Sequence, residues 1–283
     1  MYTMIAKNKR QTIILFIIIT AVLSLIGFSL GYIIDWYPLG LIFLGIVGLI
    51  TLIVYSSSTS SIVKLTHGVE ANPDITQQKQ LINIVENLSI TAGIPAPKIY
   101  VTPDTSLNAF AAGTKPEKSI VGVTQGLLDH LSPNELEAVI GHEISHIQNY
   151  DTRVNVTAYA IGVAILLIGE ILLRSRGNKN PLPLIGLLII IVGYPAVFLT
   201  RLAISRQREY LADISSIKLT RNPEGMANAL EKLKTGGEPK LPSTMSHMFL
   251  NTGSHENWFT RIMSTHPPLD DRIRRARASF DSM

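Results

Sequence analysis

The chain has no cysteine in its 283 residues, which excludes a disulfide framework, a thiolate metal site and a thiol nucleophile. Any metal it holds must be taken by histidine and carboxylate. Charge is also scarce: Asp, Glu, Lys and Arg supply 16% of residues, against about a quarter in ordinary soluble domains, while apolar types reach 46%. That excess has to be buried somewhere other than in water. The formal charge of +4 comes without a long basic run or an aromatic-interleaved basic patch, so no nucleic-acid partner is expected. There is no internal repeat and no low-complexity tract.

Long apolar segments stand in place of the missing charge. Residues 12 to 34 and 38 to 55 flank a short turn of Asp35, Trp36, Tyr37 and Pro38. Each is long enough, or nearly so, to cross the roughly 30 Å hydrocarbon core as a helix. Trp36, Tyr37 and Tyr55 are placed for the interfaces. Lys7, Lys9 and Arg10 resemble the start of a signal peptide, but the uncharged stretch from Thr12 to Ile34 is too long and no small-residue cleavage pattern follows. A retained span is expected. A second apolar pair, 154 to 173 and 182 to 203, is joined by a turn carrying Arg174, Arg176 and Lys179. Glu170, near the end of its first member, is close enough to the interface to stay hydrated.

Between and after these pairs the chain is polar. Leu81, Ile84, Val85 and Leu88 give Gln77 to Ala92 a helical spacing, closed by Gly93. Lys98 to Val101, Leu107 to Ala112 and Ser119 to Val123 read as strands. Ser132, Pro133 and Glu135 form a capping box that opens a new helix. Asn222 with Pro223, and Pro267 with Pro268, open two more, and Gly236, Gly237, Pro239 and Pro242 mark the loop between them. The expected fold is a mostly α membrane protein with four transmembrane helices and an α+β lobe. Its parts are a hairpin at 1–55, a lobe at 56–153, a second hairpin at 154–203 and a helical part at 204–283.

The helix opened by Ser132 carries His142, Glu143, Ile144, Ser145 and His146, an H-E-x-x-H sequence. Spacing of i to i+4 puts both imidazoles on one face, near enough to share one Zn²⁺, with Glu143 beside the water in the open position. From this chain's His and Glu frequencies about 0.01 chance occurrences are expected, so the motif is informative alone. Core packing explains it poorly, because two His and a Glu belong in a core only when paired or metal-bound. A catalytic zinc needs a third protein ligand, and Glu209 is the best candidate. On a helix, Asp213 lies one turn further and can orient a ligand imidazole through its free N–H. Read alone, Arg206, Arg208, Glu209 and Asp213 also make an ordinary charged helix face. His67 and His130 lack a partner motif and His247 and His255 sit in a loop-like region, so each reads as a surface or capping residue.

HEISH, then SRQREYLAD after an apolar pair, then THPPLDDR near the C-terminus together resemble the HtpX-type membrane zinc endopeptidases, relatives of the CAAX prenyl proteases. The resemblance covers nearly the whole chain. It implies a gluzincin-like catalytic domain facing the cytoplasm of a bacterial cell, Glu209 as third zinc ligand, and a role in clearing damaged or misassembled membrane proteins. It further implies that His266 and Arg272 lie near the substrate carbonyl, where a positioned donor is worth about 3 kcal/mol of barrier. Asn108, Ala109 and Phe110 match an edge strand that takes extended substrate by β-augmentation. Arg272 also reads as a solvated helix charge beside Asp270 and Asp271, and residues 108–110 as a plain strand-to-turn transition.

Three other functions compete. Intramembrane proteolysis is disfavoured by Asn134, Glu135, Asn149, Asp151 and Arg153 around the motif, since charges at bilayer depth cost several kcal/mol. A membrane scaffold with a structural zinc would need a fourth protein ligand. A prenyl-protein protease would have a larger membrane portion. Lys7, Lys9 and Arg10 favour a cytoplasmic N-terminus, which two spans return to the same side for the lobe, although the basic 174–180 turn pulls the other way.

Overall fold

The computed structural model describes residues 38–175, 182–193, 208–235 and 267–279, with scattered helical positions between 10 and 35. The chain divides into two compact units, one of residues 59–155 with 202–283, the other of 2–58 with 156–201.

In the first unit a four-stranded sheet forms the floor of the metal helix. Its strands are β1 (Val69–Glu70), β2 (Lys98–Thr102), β3 (Ala109–Gly113) and β4 (Ser119–Thr124), in spatial order β1-β2-β4-β3. β2 runs parallel to β4, with Val101 opposite Val123, while β1 with β2 and β3 with β4 are antiparallel. Phe110 lies across Gly122, its register partner: a Cβ there would come within 2.1 Å of the ring. Only glycine at 122 lets Phe110 be fully buried.

Helix α2 (Thr76–Ala92) buries Leu81, Val85, Leu88 and Ala92 on one face. Gly93 ends it in the left-handed conformation (φ 68°), which glycine adopts without a Cβ penalty. A short helix α3 (Gln125–His130), absent from the strand-and-helix expectation above, follows β4 directly; the Thr124 hydroxyl caps it by accepting from the Leu127 N–H at 3.2 Å. Helix α4 (Pro133–Gln148) packs against β3, against α2, and against α8 (Pro223–Thr235), which in turn carries α9 (Leu269–Ala278). Ile140, Ile144 and Ile147 of α4 join Val121, Val123 and Leu230 in one core. Truncating either of the first two to Ala should cost about 2–5 kcal/mol.

In the second unit, α1 (Pro38–Leu65) runs past the composition change at Ser56 and continues beyond the unit's end. Ser56, Ser57 and Ser58 lie within this helix, and their hydroxyls donate to the carbonyls of Ile53 and Tyr55, one turn back, instead of competing for the backbone in another conformation. Helix α5 (Asp151–Leu173) begins in the first unit and continues in the second. It is the one helix among the described residues that is long and apolar enough to cross a membrane. Near its end Glu170 pairs with Arg174 on an exposed face. α6 (Leu182–Leu188) passes into a π-helical turn, Ile189–Gly193. Gly169 and Gly186 let α5 and α6 touch closely, since a Cβ at 186 would lie 2.6 Å from the Gly169 carbonyl oxygen. The expected spans 12–34 and 182–203 fall only partly within the described residues.

Candidate metal centre

The site begins with the start of α4. Pro133 occupies the first turn and the Ser132 N–H donates to the Glu135 carboxylate at 2.7 Å, so the capping box expected from the sequence is present. From that fixed start, His142 and His146 fall one turn apart with their rings edge to face, centroids 4.6 Å apart. Their Nε2 atoms lie 3.0 Å from each other. His142 is buried and His146 is the more open of the two.

Residues 208–220 form helix α7, which crosses α4 at close range. Gly141 permits the approach: a Cβ there would meet the Ser216 hydroxyl at 2.7 Å. The same hydroxyl donates to the Ala138 carbonyl at 2.6 Å and locks the crossing. Seven residues before Ser216, at the start of α7, Glu209 reaches both imidazoles. Its oxygens stand 3.4 Å from His142 Nε2 and 3.6 Å from His146 Nε2. One ligand atom from each of the three residues lies within 4.8 Å of the others.

Each imidazole is backed by an aspartate. Asp213 Oδ1 is 2.9 Å from His142 Nδ1, and Asp151 Oδ2 is 3.0 Å from His146 Nδ1. A carboxylate there keeps the proton on Nδ1 and turns the Nε2 lone pair toward the shared centre. Arginines stand behind both. Arg272 donates through Nε to Asp213 Oδ2 at 2.8 Å and through Nη2 to Oδ1 at 2.7 Å. Arg208 Nε lies 3.3 Å from Asp151 Oδ1. Two Nε2 lone pairs and a carboxylate converging on one point, with Nδ1 protons pinned outside it, are a donor set that suits a divalent cation.

Electrostatics agree with that reading. Burial opposes a charged imidazole at His142, yet the hydrogen bonds it donates to Asp213 and Glu209 outweigh it and lift the group to about 9. Burial likewise opposes charge on His146, and the bond to Asp151 prevails to raise it. Without a cation the anionic cluster therefore recruits protons, which a metal would displace. Burial would raise Asp213, but the Arg272 charge and the bonds from His142 and Arg272 bring it down to about 2. Arg272, fully buried, is raised: the charge and hydrogen bonds of Asp213, with Glu209 and Glu143 adding to them, overcome desolvation. In Arg208 desolvation wins and lowers the group despite Asp151 and Glu209.

The structure thus brings His142, His146, Glu209, Asp213 and Arg272 together. Glu143 is buried beside them, its charge felt at Arg272. Arg272 is not the solvated helix charge that its sequence neighbours allow. Two of its nitrogens are committed to Asp213, and Nη1, without a hydrogen-bond partner among the described residues, stands 3.7 Å from Glu209 Oε2. His266 lies outside the described residues, as do His247 and His255. Asn108, Ala109 and Phe110 are fully buried at and before the start of β3, the terminal strand of the sheet. Asn108 is held through its main chain by Thr124: its N–H donates to the hydroxyl at 3.0 Å and its carbonyl accepts from the Thr124 N–H at 3.0 Å.

Sequence reasoning named Asp151 only as a polar neighbour of the motif and Arg208 only as part of a charged face. Asp151 escapes because it lies five residues after His146, beyond a helix break. Tyr150, at φ 61°, makes that break and folds α5's first residue back onto α4.

Residues 76–279 match the profile of Peptidase family M48. The "Protease HtpX homolog" of Streptococcus pyogenes serotype M28 (strain MGAS6180) is 39% identical over 300 residues, covering 98% of this chain and 99% of that protein. Its counterpart in Streptococcus agalactiae serotype III (strain NEM316) is 39% identical over 296 residues, again 98% and 99%. In fold, the chain resembles the crystal structure of S. mikatae Ste24p, with a TM-score of 0.53 at 17% identity, over 97% of this chain and 66% of that one.

Proposed function

Since the chain belongs to peptidase family M48 and is a membrane-associated metalloprotease, we propose that it is a zinc endopeptidase with His142, His146 and Glu209 as metal ligands. The observation that carries this is the convergence of two Nε2 atoms and one carboxylate, each imidazole oriented from behind. Zinc is the proposed ion because it favours tetrahedral N and O donors, and three protein ligands leave one position open. Among the described residues no fourth ligand joins the group, which speaks against a closed structural site. When bound, zinc would polarise the scissile carbonyl and acidify water.

The chain's own residues do the rest. Glu143, one residue from a ligand on the same helix, takes the proton from the attacking water and delivers it to the leaving amine. Arg272 Nη1, and His266 by its place in the THPP sequence, are proposed to stabilise the negative charge that develops on the carbonyl oxygen. Residues 108–110 are proposed to hold substrate in extended form at the terminal strand, through main-chain hydrogen bonds with little sequence preference.

We also propose one zinc per chain, and the division into a hairpin at 1–55, a lobe at 56–153, a second hairpin at 154–203 and a helical part at 204–283. The four apolar segments would make it a multi-pass protein of the bacterial inner membrane, its catalytic domain cytoplasmic and its substrates damaged or misfolded membrane proteins. Accessibility of a single cysteine at position 177 in intact cells tests the orientation. For the chemistry, purified full-length protein should hydrolyse casein, lose that activity to a chelator and regain it with zinc. Glu143→Gln should keep the metal and cleave nothing; normal turnover by that variant, metal-loaded, would remove Glu143 from its role.

A further inference from the structure

Resting on the reading of His142, His146 and Glu209 as ligands, we propose that Asp151 is a positioning residue for the metal, held by Arg208 and fixing His146 as Asp213 fixes His142. Three observations carry this. Asp151 spends its two oxygens separately, Oδ2 on His146 Nδ1 at 3.0 Å and Oδ1 toward Arg208 Nε at 3.3 Å. Both Asp151 and Arg208 are buried, and an acidic side chain placed merely to favour a helix start would remain in water. The backbone also bends to deliver it: Tyr150 adopts a left-handed conformation that costs a bulky residue on the order of 1 kcal/mol.

The geometry dictates what Asp151 does. Its carboxylate accepts the Nδ1 hydrogen of His146, so the ring cannot swing away and the Nε2 lone pair stays on the side of Glu209 and His142. Arg208 keeps the carboxylate from turning to another donor. Arg208 immediately precedes Glu209, so the anchor of one ligand's support and a second ligand move as one piece of α7. The first turn of α5, the long apolar helix, is thereby part of the metal site.

The test is zinc affinity, measured on full-length, detergent-solubilised protein by competition with a chromophoric chelator, together with melting of the zinc-free form. Asp151→Asn keeps an acceptor oxygen and the helix start but loses the charge. Asp151→Ser keeps the helix start and cannot reach His146. Affinity should fall in that order, by roughly 3- to 10-fold for Asn and 10- to 100-fold for Ser, with the Asn variant melting close to wild type. Affinities within twofold of wild type for both, or equal for the two variants, overturn the proposal. If the serine variant does not accumulate, the asparagine variant decides alone, and an affinity within twofold of wild type refutes it. A wild-type chain that takes up no zinc would instead bring down the ligand assignment beneath it, an outcome the variants cannot mimic.

Discussion

Behind His142 the chain places Asp213 and then Arg272; behind His146 it places Asp151 and then Arg208. The two arms share their chemistry and differ in grip. Arg272 holds both oxygens of Asp213 at 2.8 and 2.7 Å, whereas Arg208 faces one oxygen of Asp151 at 3.3 Å. Their own ionisation differs in the same sense, raised at Arg272 and lowered at Arg208. The first arm gathers α4, α7 and the C-terminal α9, three elements far apart in sequence. The second closes a local loop from α4 to the first residue of α5, with α7 touching its end. The difference teaches that one arm ties the catalytic unit together while the other mainly aims a ring.

Removing the outer arginine of each arm separates these roles. Arg272→Met leaves Asp213 buried with its main counter-charge gone, so the loss of stability should be about 3–5 kcal/mol, read by thermal or denaturant unfolding. Arg208→Met should cost about 1 kcal/mol and act mostly on metal affinity. Equal losses would erase the distinction between the arms.

Next in size is the crossing that both arms share. Gly141→Ala would drive a methyl group against Ser216 and push α7 from α4, at a cost of about 1–3 kcal/mol. Because Glu209 rides on α7, zinc affinity should fall with stability. A stable variant with unaltered affinity would mean that the crossing does not set the ligand distances.

The acid limb offers a smaller test. Asp213 sits at about 2 against an ordinary 3.8, so its stabilisation is fully present above pH 3.8 and is lost as pH falls toward 2. It should amount to about 2 kcal/mol. The melting difference between wild type and Asp213→Asn, both zinc-free, should be largest near pH 5, where Asp213 is charged and the His142 it supports is protonated, and shrink below pH 3.8. A difference that stays flat through that window would place Asp213's value elsewhere than in its charge.

The first arm was largely legible in the sequence and the second was not, for physical reasons. His142 and His146 announce themselves by helical spacing, and Asp213 by its single turn from Glu209, because within one helix sequence distance fixes direction. Asp151 depends on a left-handed Tyr150, a conformation that Gly or Asn would have advertised and tyrosine conceals. Arg272 shows the converse: beside Asp270 and Asp271 it resembles a surface charge, and only the packing of α9 on α8 carries it inward. The strands at 98, 109 and 119 were readable from β-branched and small apolar runs, but the order β1-β2-β4-β3 rests on long-range pairing with no local signal. That α1 continues to Leu65 had no apolar signal after Tyr55, because the polar run there keeps the helix while Ser56, Ser57 and Ser58 turn their hydroxyls back to its own carbonyls.

The central claim, that the two imidazoles and the Glu209 carboxylate hold one ion, is tested most directly by metal content. Wild type, Glu143→Gln and Glu209→Gln should be purified side by side in full length and their zinc counted by mass spectrometry. About one equivalent is predicted for the first two and far less for the third. A Glu209→Gln chain that keeps a full equivalent of tightly bound zinc would contradict the account.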